Sequence, residues 1–378
     1  MSSTNAFTVP GCIETPSLLV DLDILEQNLD EMAAICAESN TLLLPHAKTH
    51  RTPAIGRMQV SRGADGLCVA KLGEAEAFAG AGVKRITVAY PVVGDAKARR
   101  ALRLSEGIKL ALAADSIEGA RSIGSVFAEE NREIEVLLII DSGLGRCGVA
   151  PADAPGVARV IANVPGIRLG GVMTHEGWVY AARDREDLRR RSESAANLMV
   201  ATAEAIRRSG VSAPVVSPGA SASARIVARA PGVTEVRPGI YAFNDLGQIA
   251  LGNATPATCA VRVLATVVSH PDPTRAFIDA GSKTLSQDGL PAAAHSEAFP
   301  GHGLVVGRPG WQVERLSEEH GWLRWRGSTR PTSLSIGERI QIIPNHVCTV
   351  FSSLGESYAL RGGELVDTWT TVSPGASR

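Results

Sequence analysis

Along the first two thirds of the chain, short apolar runs alternate with longer stretches in which apolar residues recur every three or four positions. The short runs are Ser17–Asp21, Leu42–Leu44, Gly66–Ala70, Arg85–Tyr90, Ile108–Ala113, Glu135–Asp141, Leu169–His175, Val215–Ser217 and Glu235–Arg237. The longer stretches, near 23–39, 52–62, 73–81, 96–105, 116–128, 152–163 and 184–209, read as helices. In the first of them Leu25, Leu29, Met32, Ala33 and Cys36 mark one buried face. Near-continuous apolar strands separated by helices imply parallel strands covered on both faces. Candidate catalytic residues gather at strand ends, and no glycine-rich nucleotide loop comes early. Some eight strands over residues 17–251 therefore predict a TIM-like (β/α)8 barrel and not an open doubly wound sheet.

After Leu251 the pattern changes. Cys259–Val268 alternates at period two, and strands are expected at 275–279, 321–325, 339–343 and 364–371, with no helical pattern of useful length between them. Residues 252–378 thus predict an antiparallel β domain, against which the segment 1–16 is expected to pack.

Composition narrows the function. Of 378 residues, 44% are hydrophobic and 20% charged, as in ordinary globular proteins. A net charge of -1 gives no basic footprint for nucleic acid. No apolar run approaches the roughly 20 residues of a membrane span. The first residues lack the features of a secretion signal, and the six cysteines are scattered, so a reducing, cytoplasmic location is expected.

Four segments suggest chemistry. In Leu42–Arg51 the apolar run ends at Pro45, and Lys48 follows between His46 and His50. A lysine at a barrel rim, among apolar walls and other cations, suits Schiff-base chemistry, although alone it is as readily a solvated surface lysine. Asp141–Gly148 combines three glycines with Arg146, which allows close backbone approach beside a fixed charge; it also fits a plain flexible connection. Ser217–Ser223 and Val236–Tyr241 follow the last barrel strands, where phosphate is commonly bound, though either alone could be an ordinary turn. In Pro344–Cys348, His346 and Cys348 at i and i+2 would project to one face of a strand or turn and suit a borderline-soft divalent ion. Two protein ligands suffice only where water and substrate complete the shell. The alternative is a buried histidine beside an inert cysteine.

Taken together the segments resemble the D-threonine aldolase and D-serine dehydratase family of pyridoxal-phosphate enzymes, which share the alanine-racemase-type barrel (fold type III). The resemblance runs over nearly the whole chain. It is carried by Thr15-Pro16-Ser17, Pro45–His50, Gly145-Arg146-Cys147-Gly148, Arg237-Pro238-Gly239, Ile278-Asp279-Ala280-Gly281, Glu319-His320-Gly321 and Pro344-Asn345-His346. It implies that Lys48 holds the cofactor and that Gly219, Ser221, Gly239 and Ile240 cradle its phosphate. Arg146 would lie near the lysine and the ring, Arg237 would face the pyridine nitrogen, and His346 and Cys348 would hold a divalent metal. The thiolate favours zinc, with manganese or magnesium as alternatives. The chain departs from the family pattern at Ala220, at Phe351-Ser352-Ser353-Leu354 and at Trp178, a position that is frequently polar in the family.

The implied activity is that of a lyase on small D-3-hydroxy amino acids. The homodimer is the expected assembly. His346-Val347-Cys348 resembles the dehydratases, which form a 2-oxo acid and ammonia by elimination. Val92-Val93-Gly94 and Gly145-Arg146-Cys147 look closer to the aldolases, which release glycine and an aldehyde. His175, at a strand end, is the candidate base for the β-hydroxyl proton in the cleavage route, against the alternative of a satisfied core histidine. A racemase would need a second base, and Tyr358, the only tyrosine in the β domain, lies outside every matching motif. A non-catalytic cofactor carrier would lack the β domain.

Overall fold

A computed structural model describes residues 6–290 and 293–372. The chain divides into two compact units, one built from Asp30–Val179 and Glu186–Gly239, the other from Met1–Leu29, Tyr180–Arg185 and Ile240–Thr371. Among the described residues no helix is long and apolar enough to cross a membrane.

In the first unit, eight strands run parallel: β2 (Leu42–Leu43), β3 (Leu67–Val69), β4 (Arg85–Pro91), β5 (Lys109–Ala114), β6 (Ile134–Ile139), β7 (Ile167–Met173), β8 (Val215–Ser217) and β9 (Glu235–Val236). β3 to β8 form one sheet in sequence order, and β2 pairs with β9. The two pieces are joined at both seams. Cys68 N donates to Pro45 O at 2.9 Å, and Thr234 N donates to Val216 O at 3.0 Å. The strands therefore close into a barrel.

Alternation of side chains explains why these strands read as continuous apolar runs. Along β5 and β6, Leu110, Leu112, Ala114, Val136 and Leu138 join the core under the helices. Ala113, Leu137 and Ile139, with Met173, form a separate cluster on the opposite face. Gly171 in β7 has φ +146°, and a Cβ there would meet Val215 N at 2.7 Å. Only glycine lets β7 lie this close to β8.

The second unit is built on one long strand, β10 (Val261–Asp272). With β11 (Arg275–Ile278), β12 (Leu304–Val305), β13 (Trp311–Leu316), β14 (Gly321–Trp325) and β15 (Arg339–Ile343) it forms the order β11-β14-β13-β12-β15-β10. β10 also pairs with β11, which closes these six antiparallel strands on themselves. Beyond β10 the sheet continues through β1 (Ser17–Asp21), β16 (Glu356–Arg361) and β17 (Glu364–Thr370).

Two expectations are corrected here. The run Ser17–Asp21 is not a barrel strand. It pairs antiparallel with β10 (Ser17 with Leu264, Val20 with Val261) and parallel with β16. The two compact units themselves divide at Gly239–Ile240. The β domain also contains a helix of useful length, Val347–Leu354, whose apolar face buries Val347, Val350 and Phe351.

Three of the family-like motifs meet in this second unit. Thr15 Oγ1 donates to Asp279 Oδ2 at 2.5 Å, and Asp279 Oδ1 accepts from Thr266 N at 2.8 Å. A Cβ on Gly281 would overlap the Glu318 carbonyl and lie 2.5 Å from Ser317 O; one on Gly321 would lie 2.6 Å from Ala280 O. Backbone packs on backbone, so neither neighbour can yield. Gly281→Ala should therefore destabilise this unit by about 1–3 kcal/mol through overpacking. Gly289→Ala, where nothing lies within 4 Å of a new Cβ, should leave the thermal unfolding midpoint unchanged. Equal midpoints for the two variants would contradict the packing argument.

Candidate active site

The loops that follow the parallel strands carry polar side chains to one end of the barrel, the C-terminal end where barrel enzymes bind their ligands. A cavity of about 580 Å³ opens there, bordered by His46, Lys48, Arg146, His175, Gly219 and Arg237. That volume suits a small molecule. Among the described residues that line it there is no carboxylate, so the surroundings favour an anion.

Lys48 sits in a single 3-10 turn, Ala47–Thr49, directly after β2. Ala47 and Thr49 are buried, which leaves Lys48 half-exposed at the rim. The flanking histidines are not cations, contrary to the expectation from sequence. Burial holds the His46 pKa well below its ordinary value, helped by the neighbouring charges of Lys48 and Arg237. His50 is enclosed and its pKa falls to about 4, again through burial. Its Nδ1 accepts from Thr52 N at 3.0 Å, so Nε2 carries the proton toward Gln59 Oε1 at 3.3 Å. His50 faces the core, and its ring packs edge-on against Phe78.

Arg146 is exposed at the end of a loop held by Asp141, whose Oδ1 accepts from Gly143 N at 2.9 Å and Gly145 N at 3.1 Å. Those amide hydrogen bonds keep the Asp141 pKa below its usual value. Arg237, after β9, is buried and fixed by carbonyls: Nη2 donates to Thr174 O at 2.6 Å and Nη1 to Ser217 O at 2.5 Å. Its Nε has no partner among the described residues. Nδ1 of His175 lies 3.1 Å from Gly219 O. A carbonyl only accepts, so Nδ1 carries the proton and Nε2 is the basic atom. Burial, the largest influence, lowers the His175 pKa and keeps the ring neutral.

The sequence reading missed Glu176. This carboxylate is fully buried and accepts from Gly219 N at 2.9 Å, Ala220 N at 3.0 Å and Ser223 Oγ at 2.6 Å. The loop after β8 is thus wound around a side chain from the end of β7. The Gly219 amide is committed to Glu176, so a phosphate there must rely on other donors. Gly239 N meets Ser221 Oγ at 2.9 Å. A Cβ on Gly239 would overlap Thr49 Oγ1 and lie 2.9 Å from His46 O. Ile240 follows and opens the 3-10 turn Ile240–Ala242. Trp178 does not border the cavity; its ring lies beside the Arg191 guanidinium, 5.8 Å from centroid to Cζ.

His346 and Cys348 belong to the second unit. They stand on a helix start and not on a strand: His346 caps Val347–Leu354, and Cys348 is the second residue of that helix. His346 Nδ1 lies 2.8 Å from Asp288 Oδ2. Burial opposes a charge on His346, but Cys348, Asp245 and Asp288 together raise its pKa to about 10. Among the described residues no group of three or more histidine, cysteine or acidic side chains is arranged to hold a metal.

Residues 20–246 match the family model for the alanine racemase N-terminal domain, and residues 260–360 match one for a serine dehydratase domain. A D-threonine aldolase of Arthrobacter sp. is 30% identical over 369 residues, 97% of this chain and 94% of that protein. The D-threo-3-hydroxyaspartate dehydratase of Delftia sp. (strain HT23) is 34% identical over 371 residues, 94% of this chain and 97% of that protein. The chain belongs to the D-threonine aldolase and D-serine dehydratase family. The crystal structure of D-threonine aldolase from Filomicrobium marinum superposes with a TM-score of 0.88 at 29% identity, covering 99% of both chains. Solved structures of the dehydratase family member include a histidine-to-alanine variant and, in a metal-free form, a cysteine-to-alanine variant two positions further on.

Two outcomes follow from this geometry. Glu176→Ala leaves two amides and a hydroxyl without their acceptor, at roughly 1–3 kcal/mol for each buried donor. Amide hydrogen exchange at Gly219 and Ala220 should therefore accelerate, with Glu176→Gln intermediate; unchanged exchange would mean that the loop holds itself. His50 gives the barrel an acid limb. Its native pKa is about 4, below the ordinary 6.5, so its contribution is complete above pH 6.5. It is lost toward pH 4 at about 1.4 kcal/mol per pH unit. His50→Gln should flatten that limb in urea melts taken between pH 7 and pH 4.

Proposed function

We propose that this chain is a pyridoxal-phosphate- and divalent-metal-dependent lyase acting on D-3-hydroxy amino acids, and that its reaction is β-elimination to a 2-oxo acid and ammonia. The observation that carries the reading is the cavity around Lys48, an amine facing fixed cations with no carboxylate in the lining, in a chain of this family.

Pyridoxal phosphate fits that cavity on three counts. The volume is adequate, Lys48 reaches it, and Arg237 Nε and His46 Nδ1 are buried donors or acceptors without partners among the described residues. Lys48 would hold the cofactor. The Ile240 backbone with the Ser221 hydroxyl would take the phosphate, and Gly219 and Gly239 would line its sides, their amides spent on Glu176 and on Ser221 Oγ. Arg237 would meet the ring nitrogen, and Arg146 would lie near Lys48 and the ring. A divalent ion fits His346 and Cys348 as a two-ligand site. The Asp288 carboxylate on Nδ1 fixes the ring as second partners of metal-bound histidines do, and the thiolate favours zinc over manganese or magnesium.

When bound, the cofactor supplies an electron sink for the α-carbon and the metal a Lewis acid for the β-hydroxyl. The chain's own residues then move protons. Lys48 takes the α-hydrogen. His175, neutral with Nε2 free to accept, holds or returns a proton at the hydroxyl. The Gly219 carbonyl keeps its ring in that tautomer, while Glu176 holds Gly219.

Elimination is favoured over retro-aldol cleavage by Cys348 at the second metal position. Support comes from the dehydratase relative, whose histidine and cysteine variants share this spacing. The second reading, cleavage to glycine and an aldehyde, draws support from the D-threonine aldolase relatives.

The test is a product analysis with D-serine, D-threonine and D-3-phenylserine. Oxo acid plus ammonia is expected, L isomers should be inert, and Cys348→Asp should move products toward glycine and aldehyde. The holoenzyme should be yellow, with an absorption band near the violet, and Lys48→Ala should lose both this violet absorption and turnover. Chelation should abolish turnover and leave that absorption in place. Reaction with L isomers alone, or full activity after complete metal removal, would overturn the proposal.

A further inference from the structure

Beside the Lys48 cavity lies a small annex that shares Ala70, Tyr90, Pro91 and Lys97 with it and is completed by Lys71. The rest of its wall is apolar, from Leu72, Val88 and Val92. Two lysines therefore border one narrow recess, and among the described residues lining it there is no acid.

Each lysine is positioned by a helix start. Lys71 caps the helix Leu72–Gly80, and its Nζ lies 3.3 Å from the centroid of the Tyr90 ring. Lys97 is in the first turn of the helix Asp95–Leu104. Two helix N-termini, each a partial positive charge, thus accompany the two ammonium groups. The acids of these first turns are engaged elsewhere: Glu74 with Arg51 at 2.8 Å and with the Ala70 amide, Asp95 with Arg99 at 3.0 Å.

We propose that this annex receives a carboxylate carried on the β-carbon of the substrate, so that the preferred substrates are dicarboxylic D-3-hydroxy amino acids of the 3-hydroxyaspartate type. This rests on the lyase reading for the identity of the cavity's occupant. The α-amino end lies at Lys48, and the side chain of the substrate extends toward Tyr90 and Lys97. A methyl or phenyl substituent would leave both ammonium groups unpaired, whereas a carboxylate accepts charge-assisted hydrogen bonds from them.

The test uses holoenzyme with zinc, and two readouts. D-Aspartate and D-alanine, which lack the hydroxyl, compete as ligands; D-3-hydroxyaspartate and D-serine compete as substrates. The wild type should bind D-aspartate at least about tenfold more tightly than D-alanine, the factor that 1.4 kcal/mol represents. It should prefer hydroxyaspartate by a similar factor in kcat/KM. Lys97→Met and Lys71→Met should each cut both ratios about tenfold, through KM. Lys109→Met, an exposed lysine at the start of β5, should keep the wild-type ratios. Retained violet absorption shows that a variant is folded and loaded.

Ratios unchanged in both annex variants, or no wild-type preference for the dicarboxylates, would overturn the inference while leaving the lyase reading intact. Lysine-dependent preference for D-aspartate without turnover of any D-3-hydroxy acid would support the anion site and overturn the lyase reading instead.

Discussion

The arrangement of the candidate site depends on one buried carboxylate. Glu176 is spent on two backbone amides and a hydroxyl of the next loop. Burying a charge is costly unless hydrogen bonds replace its water, and three donors do so here. What this secures is distance. With the Gly219 amide fixed, the Gly219 carbonyl is in place for His175 Nδ1, and Gly219 lies so near Arg237 that a Cβ would approach Nη2 to 2.6 Å. The ends of three successive barrel strands, β7, β8 and β9, are thereby tied to one another before any ligand arrives.

Much of this was legible in the sequence, for a reason of periodicity. Parallel barrel strands are covered on both faces, so they appear as apolar runs, and the helices between them show their own repeat. Lys48, Arg146, His175, Gly219 and Arg237 could be picked out because they follow such runs. Ser17–Asp21 misled for the same reason. Its five residues look like a barrel strand, and only pairing with Val261–Leu264 and Tyr358–Leu360 reveals otherwise. Glu176 gave no signal, since nothing local distinguishes an acid wrapped by a distant loop from a solvated one. The histidines beside Lys48 failed differently: burial decides their charge, and burial is a property of the folded chain.

The resemblance motifs divide into two kinds. Pro45–His50 and Arg237–Gly239 surround the cavity. Thr15, Asp279–Gly281 and Glu319–Gly321 instead interlock within the antiparallel unit, where glycine is required because carbonyls occupy the space of a side chain. A short motif shared with an enzyme family need not touch substrate. Here part of the shared pattern packs the loops beside β11 and β14 backbone against backbone.

The position of β1 bears on how the protein is made. Its partners, β10 and β16, lie far down the chain, so during synthesis the strand emerges early and stays unpaired. The whole parallel barrel, Asp30 to Gly239 apart from a short excursion, leaves the ribosome in the meantime and can fold ahead of it. The antiparallel unit is then completed from both ends of the polypeptide. An apolar strand kept waiting in this way is an aggregation hazard while it lasts. Its brevity, five residues, and the acidic Asp21 and Asp23 at its end keep that hazard small.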